Sequence, residues 1–460
     1  MAYETLVVVV TAASIAILLF VGSVVLFRGQ LQDVYIRLRG PAPVSSEVAL
    51  VTVGPESLYL YNPADPAPDV TPRALLAEIV RFLDAADASV VVLDFLLDRP
   101  DADDALLAEA AAAHGAVLSA ERFEVTEPSS GRVFTPGIPP TLDAAMGSGF
   151  ANFQEEPSSW LGNELLVRRL PLLHTTDRAH LEGQWPMNQV GSKQDIDSIT
   201  PALSLAAARL HRSLQSNEPV QHDAFLAELQ RRCTPLPLNC EFTASELGLA
   251  DTPLDLSLPH DINFRGPEGG DGLVTVDAAR ILRVLAEAAL MRQLGQPGDV
   301  RVPQDLAQQL AGRVVVVGRV GVTDSGFSDR FATPYSLPVQ DRADMSGPRI
   351  HAHVIDTLLT GRHIRHAGAL WSWLMAPFVA GVIWVTGQRF AATAHAGVVL
   401  GITAIGVTAG FVLFRFTDGL VLDVGPSVAA AVGTAIAVHL RGWSREQVGL
   451  SPHGSGSGTH

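Results

Sequence analysis

The chain has 460 residues, enough for about two to three domains, and carries 32 basic against 48 acidic residues, a formal charge of −16. So acidic a surface excludes nucleic-acid binding, which depends on Lys and Arg meeting phosphates. It equally excludes lying flat on anionic lipid. The acid is concentrated in residues 28–366, which hold 28 basic and 44 acidic groups, and Lys193 is the only lysine.

Residues 6–27 are uncharged and apolar, matching the roughly 20 residues a membrane span needs. The run is long for a signal-peptide core and no Lys or Arg precedes it, so an uncleaved anchor over 1–28 is expected. Next, "VALVTV" predicts a buried strand. In "TPRALLAEIVRFLDAAD", Thr71 and Pro72 suit a helix start, and Leu76, Ile79, Val80 and Leu83 form one apolar stripe. "SVVVLDFLL" is continuously apolar, as in a strand covered on both faces. "DADDALLAEAAAAHG" predicts a helix stopped by Gly115, and "AVLSA" a third strand. This β-α-β-α-β order predicts an α/β fold with a mixed, mostly parallel sheet flanked by helices.

The middle is less regular. Residues 124–140 read as a loop or hairpin, 167–173 as a strand, and 201–214 and 224–232 as helices. The alternation returns with "INF" as a short strand, helices in "VDAARILRVLAEAALM" and "VPQDLAQQLAG", a central strand in "RVVVVG", and a helix in "PRIHAHVIDTLLTG". Three further runs reach span length, at 367–387, 391–414 and 419–440. With the anchor they predict four transmembrane helices: a domain at 29–366, a three-helix bundle at 367–440 and a short cytoplasmic tail at 441–460. Trp371, Trp373, Trp384 and Trp443 sit near span ends, as interfacial anchors do. Arg415 and Asp423 flank one loop, where an ion pair is expected.

The segments "DVYIRLRGP", "VVVLDFLLDRPDADDALLAEA", "INFRGP", "VVVVGRVGVTDSGFSDRFATP" and "IHAHVIDTLLTG" occur here in order. Together they resemble the second type of CHASE domain, an extracytoplasmic sensory module of bacterial signalling proteins that is followed by three spans. The chain departs from that pattern at Gly54, at "NPADPAPDVTPR" and at "SWLGNELLV". The resemblance implies a multi-pass protein of the inner (plasma) membrane that senses a small-molecule or protein signal. It implies a cytoplasmic kinase or cyclase output. The residues after 440 are too few to supply one, so the output is expected to be missing from this chain, truncated, or supplied by another protein. An envelope scaffold that binds a protein partner is the alternative. Arginines near the span ends mildly favour a cytoplasmic domain. The resemblance, and a disulfide between Cys233 and Cys240 in "CTPLPLNC" as against two free thiols, favour an extracytoplasmic one.

Ligands of a doubly wound sheet bind beyond the carboxyl ends of its strands. Asp94 ends one strand, "GRVGVTDSGFSD" brings Asp324 and Asp329 to the same rim, and Arg265 of "NFRGP" is placed with them. Such a pocket suits a polar or cationic ligand; the same residues could instead cap helices or pair Arg265 with Asp329. "GRVG" lacks the ending of a phosphate loop. His351 and His353 are two apart and face different ways, so no metal is expected. With no GxSxG or HExxH, neither catalysis nor a cofactor is expected. In the spans, Gly397, Gly401, Gly406 and Gly410, and Gly425 with Gly433, recur at close-packing spacing and predict faces that meet in a hairpin or a homodimer.

Overall fold

A computed structural model describes residues 31–440 except 66–67, 98, 122–123, 128–131, 135–139, 160–161, 176–198, 217–240, 244–248, 250–252, 257–258, 296–299, 322–328, 337–344, 368, 390–391, 418, 423–426, 428–429 and 432. The chain divides into two compact units, one of Gly40–Pro157 and Glu164–His363, the other of Met1–Arg39, Ser158–Asn163 and Ile364–His460.

The first unit is built on a six-stranded sheet. Its strands are β1 (Val48–Val53), β2 (Val90–Leu96), β3 (Val117–Glu121), β4 (Gly147–Phe150), β5 (Val274–Asp277) and β6 (Val314–Arg319). Their spatial order is β5-β1-β6-β2-β3-β4, and every pairing is parallel. Backbone alternation divides the strands between two layers. Ala49, Val51, Val91, Leu93, Val315 and Val317 enter one core. That core is closed by helices α1 (Pro55–Tyr61), α2 (Arg73–Ala85), α3 (Asp104–His114), α5 (Ala278–Gln293) and α6 (Gln304–Leu310). The other face is covered by α4 (Leu203–Gln215) and α7 (Gly347–Thr360).

Helix α7 is buried from Gly347 through Leu359. A helix enclosed on all sides is normally apolar all round, yet this one carries Arg349, His351, His353 and Asp356. Each must find a partner or remain neutral. Gly361 ends the helix in the left-handed conformation, with φ at 66°, which costs glycine least.

Several expectations shift at their edges. The edge strands β4 and β5 carry no long apolar run. Their place comes from pairing with β3 and β1. Residues 124–140 contain a hairpin of Glu124–Glu127 with Arg132–Phe134. The strand expected at 167–173 runs over Gly162–Leu170, ends before Pro171 and pairs with His260–Asp261, which takes the place of the short strand expected at "INF". The helix expected at 224–232 lies outside the described residues.

In the second unit, Val379 and Ile383 of α8 (Ala369–Arg389) pack against Val398, Val399 and Ile402 of α9 (Ala392–Phe416) and against Ala431 and Ala435 beyond it. The Tyr35 hydroxyl donates to the Val407 carbonyl at 3.2 Å, and the ring packs on Phe411 and Phe414. Among the described residues, Gly397–Phe416 is the one helix long and apolar enough to cross a membrane. Met375–Gly387 is a shorter apolar stretch. The run at 6–27, Asp423 and Gly425 lie outside the described residues.

Candidate functional site

Parallel register aligns the carboxyl ends of the central strands. Gly318 pairs with both Thr52 and Asp94. With no side chain at Gly318, Pro348 at the start of α7 drops onto the strand, and a Cβ at Gly318 would overlap the proline ring. The same approach puts Asp94 against the first two turns of α7. Gly347 and His351 are four apart and so share one helix face. The Asp329 carboxylate lies directly over Gly347, where a Cβ would collide with it, and the Asp329 carbonyl accepts from the Gly347 amide at 3.1 Å.

His351 sits 4.0 Å from Asp94, measured from Nε2 to Oδ1, with its side chain 1% exposed and that of Asp94 9% exposed. That distance is too long for a hydrogen bond. Nδ1 of His351 lies 2.8 Å from the Ser204 hydroxyl on α4. The ring rests on Phe153, centroids 4.6 Å apart. Nε2 of His351 and Oδ2 of Asp94 are buried with no hydrogen-bond partner among the described residues. Burial pushes the Asp94 carboxyl well up, and the nearby Asp329 charge raises it further. Burial also pushes Asp329 up to about 6 and His351 down to about 3. Because the charged form is disfavoured at each group, the cluster is least costly with His351 neutral and the carboxyl pair partly protonated.

Arg265 is elsewhere. Its Nε donates to Oδ2 of Asp356 at 3.3 Å, with the side chains 1% and 0% exposed. The other oxygen of Asp356 accepts from the Ser45 amide at 2.7 Å. Arg349 grips both oxygens of Asp271 at 2.7 Å, and His353 stands 3.0 Å from the same carboxylate. His351 and His353 thus face opposite partners, as their spacing requires. The structure brings Asp94 and Asp329 together, pairs Arg265 with Asp356, and leaves Asp324, Cys233 and Cys240 outside the described residues. Among the described residues no group of three or more His, Cys, Asp or Glu converges to hold a metal ion.

His351, Ser204 and Phe153 join the site without any motif. The available signal was polarity inside an otherwise apolar helix, and a search for metal-ligand spacing passes over it. The glycines of α9 divide as well. Nothing stands within 4 Å of a Cβ placed at Gly397, Gly401 or Gly406, whereas Gly410 lies under the Tyr35 hydroxyl. Gly433 is buried.

No curated protein and no solved structure matches the chain. A family model described as the CHASE2 domain matches residues 7–388. That match takes in the parallel sheet, α7, the buried cluster at its first turns and α8, and by it the chain belongs to the CHASE2 domain family of sensory domains.

Proposed function

We propose that this protein is a multi-pass sensor of the inner membrane, with its α/β unit on the extracytoplasmic side. It binds its signal at the Asp94–Asp329–His351 edge and relays it along α7 toward a kinase- or cyclase-type partner. The observation that supports this most is the position of α7. Its first turn carries the buried cluster, and the chain leaves its last turn at Gly361 to enter α8 only eight residues later. The buried start of α7 and the end that leads toward α8 belong to one continuous helix, held along its length by Arg349–Asp271 and Arg265–Asp356. A change at one end therefore reaches the other.

Topology tests this reading. Gly295 is an exposed turn after α5. Alkaline phosphatase inserted there should be active and a cytoplasmic reporter silent; the reverse pattern removes the sensor reading. A scaffold role has one observation in its favour, an open groove of about 540 Å³ lined in part by Leu60, Tyr61, Phe82, Leu282 and Leu285, a surface suited to a protein partner.

A further inference from the structure

Resting on that sensor reading, we infer that the signal is the proton: Asp94 and Asp329 share a proton-binding site that couples acidity outside the membrane to the seating of α7 on the sheet. The geometry begins with missing counter-charge. Among the described residues, the arginines beside the pair make contacts elsewhere. Arg319, next to Gly318, donates to the Pro68 carbonyl at 2.5 Å. Arg330, next to Asp329, pairs with Glu268 at 2.8 Å. Arg349 is held by Asp271 and Arg265 by Asp356. Among the described residues no cation within ion-pair distance faces either carboxylate. Among the described residues, the α7 side chain facing Asp94 is His351, 1% exposed, with Nε2 4.0 Å from Oδ1 of Asp94.

The remaining groups around the pair do not supply charge either. From β6 comes Gly318, from α4 Ser204, and from the segment after β4 Phe153. Glu121, ending β3, is hydrogen-bonded to Ser148 and lies beside Asp143. Asp277, ending β5, accepts from Ser57 and the Ala279 amide. His353 and Asp356 on α7 face Asp271 and Arg265.

Two like charges in such a place cannot both persist. The dipole of α7, whose start lies beside the pair, favours one negative charge; the second must be neutralised. A metal ion needs converging ligands, which the described residues do not provide, whereas a proton needs no cavity. In acid the pair holds a proton, and Pro348 seats on Gly318. As the medium turns alkaline the second carboxyl ionises. Repulsion between Asp94 on β2 and Asp329 over Gly347 then lifts the first turn of α7 from the sheet.

The full chain in lipid nanodiscs tests this by infrared difference spectroscopy between about pH 5 and about pH 9, above the range where an ordinary carboxyl titrates. Hydrogen exchange of the 347–360 peptide, corrected for the intrinsic pH dependence of exchange, is followed in parallel. The wild type should show a carboxylic-acid C=O band that persists above the ordinary carboxylate range and disappears at higher pH, with α7 protection falling at the same midpoint. Asp94→Asn should lose that band and keep α7 protected throughout. Asp329→Asn should move the Asp94 midpoint to more acid pH. Circular dichroism confirms that each variant is folded. A wild type without the band, or a transition unchanged in a folded Asp94→Asn, overturns the proposal. So does a midpoint that shifts with added Mg²⁺, Ca²⁺ or Zn²⁺ at constant pH. Any of these results leaves the reporter-fusion topology, and with it the sensor reading, standing; a reversed reporter pattern removes the sensor reading without touching the infrared band.

Discussion

Arg265 and Asp356 meet at 3.3 Å with neither side chain open to solvent, which ties the loop after His260–Asp261 to the second half of α7. Removing one partner strands the other as a buried charge, at a cost of about 3–5 kcal/mol. Asp356→Ala should therefore lower the thermal midpoint of the full chain in detergent strongly. The double variant Arg265→Met/Asp356→Leu should recover most of the loss, because it leaves no orphaned charge. Differential scanning fluorimetry on the three proteins decides the point.

Asp271 supplies acid sensitivity. Burial alone would raise its carboxyl, but the hydrogen bond and charge of His353 and the two bonds from Arg349 outweigh this and hold it at about 2. The folded value lies below the unfolded one. The stability it contributes is thus fully present above the ordinary carboxylate range and is lost as pH falls from about 4 toward 2. Asp271→Asn should lose on the order of 2 kcal/mol at neutral pH, with a flatter unfolding-midpoint curve between those limits.

His351 and the carboxyl pair act in opposite directions. His351 falls to about 3 in the folded state, so its contribution is present above about pH 6.5 and is lost as pH drops from there toward 3. Asp329 rises to about 6, so its contribution is present below the ordinary carboxylate value and is lost as pH rises through about 6. In wild type His351 offsets part of the effect of the carboxyl pair between about pH 4 and 6. In His351→Gln only the carboxyl effect remains. Its unfolding midpoint should rise on acidification across that window, whereas the wild type stays flatter.

Gly318→Ala tests the seating of α7. The new methyl would overlap Pro348, and neither a central strand nor a proline ring yields cheaply. Overpacking of this kind costs about 1–3 kcal/mol. Exchange protection should fall first in the opening turns of α7, and a uniform loss across the sheet would count against this account.

The bundle glycines should separate by environment. Gly410→Leu would displace Tyr35 from α9 and lower the thermal midpoint. Gly401→Leu meets open space within the protomer and should leave that midpoint unchanged, while reducing disulfide crosslinking between cysteines introduced in α9 of two copies. Unchanged crosslinking would count against the homodimer expected from the glycine spacing.

The central strands and their helices are legible because their physics is local. "VALVTV", "SVVVLDF" and "RVVVVG" are too uniformly apolar to sit anywhere but a doubly covered sheet, and the stripe of Leu76, Ile79, Val80 and Leu83 can face only a core. Asp94 was readable for the same reason, as the acid ending such a strand. The edge strands were not. "GSGF" and "VTVD" become strands only because β3 and β1 present open edges to them. Charge pairing is the clearest divide. The sequence determines that α7 carries Arg349, His351, His353 and Asp356 into the protein. Only the tertiary structure decides that three of them meet a countercharge while His351 and Asp94 do not. Pairing depends on which side chains, some of them 78 to 91 residues away, reach the same few ångströms of buried space, and no periodicity within one helix encodes that.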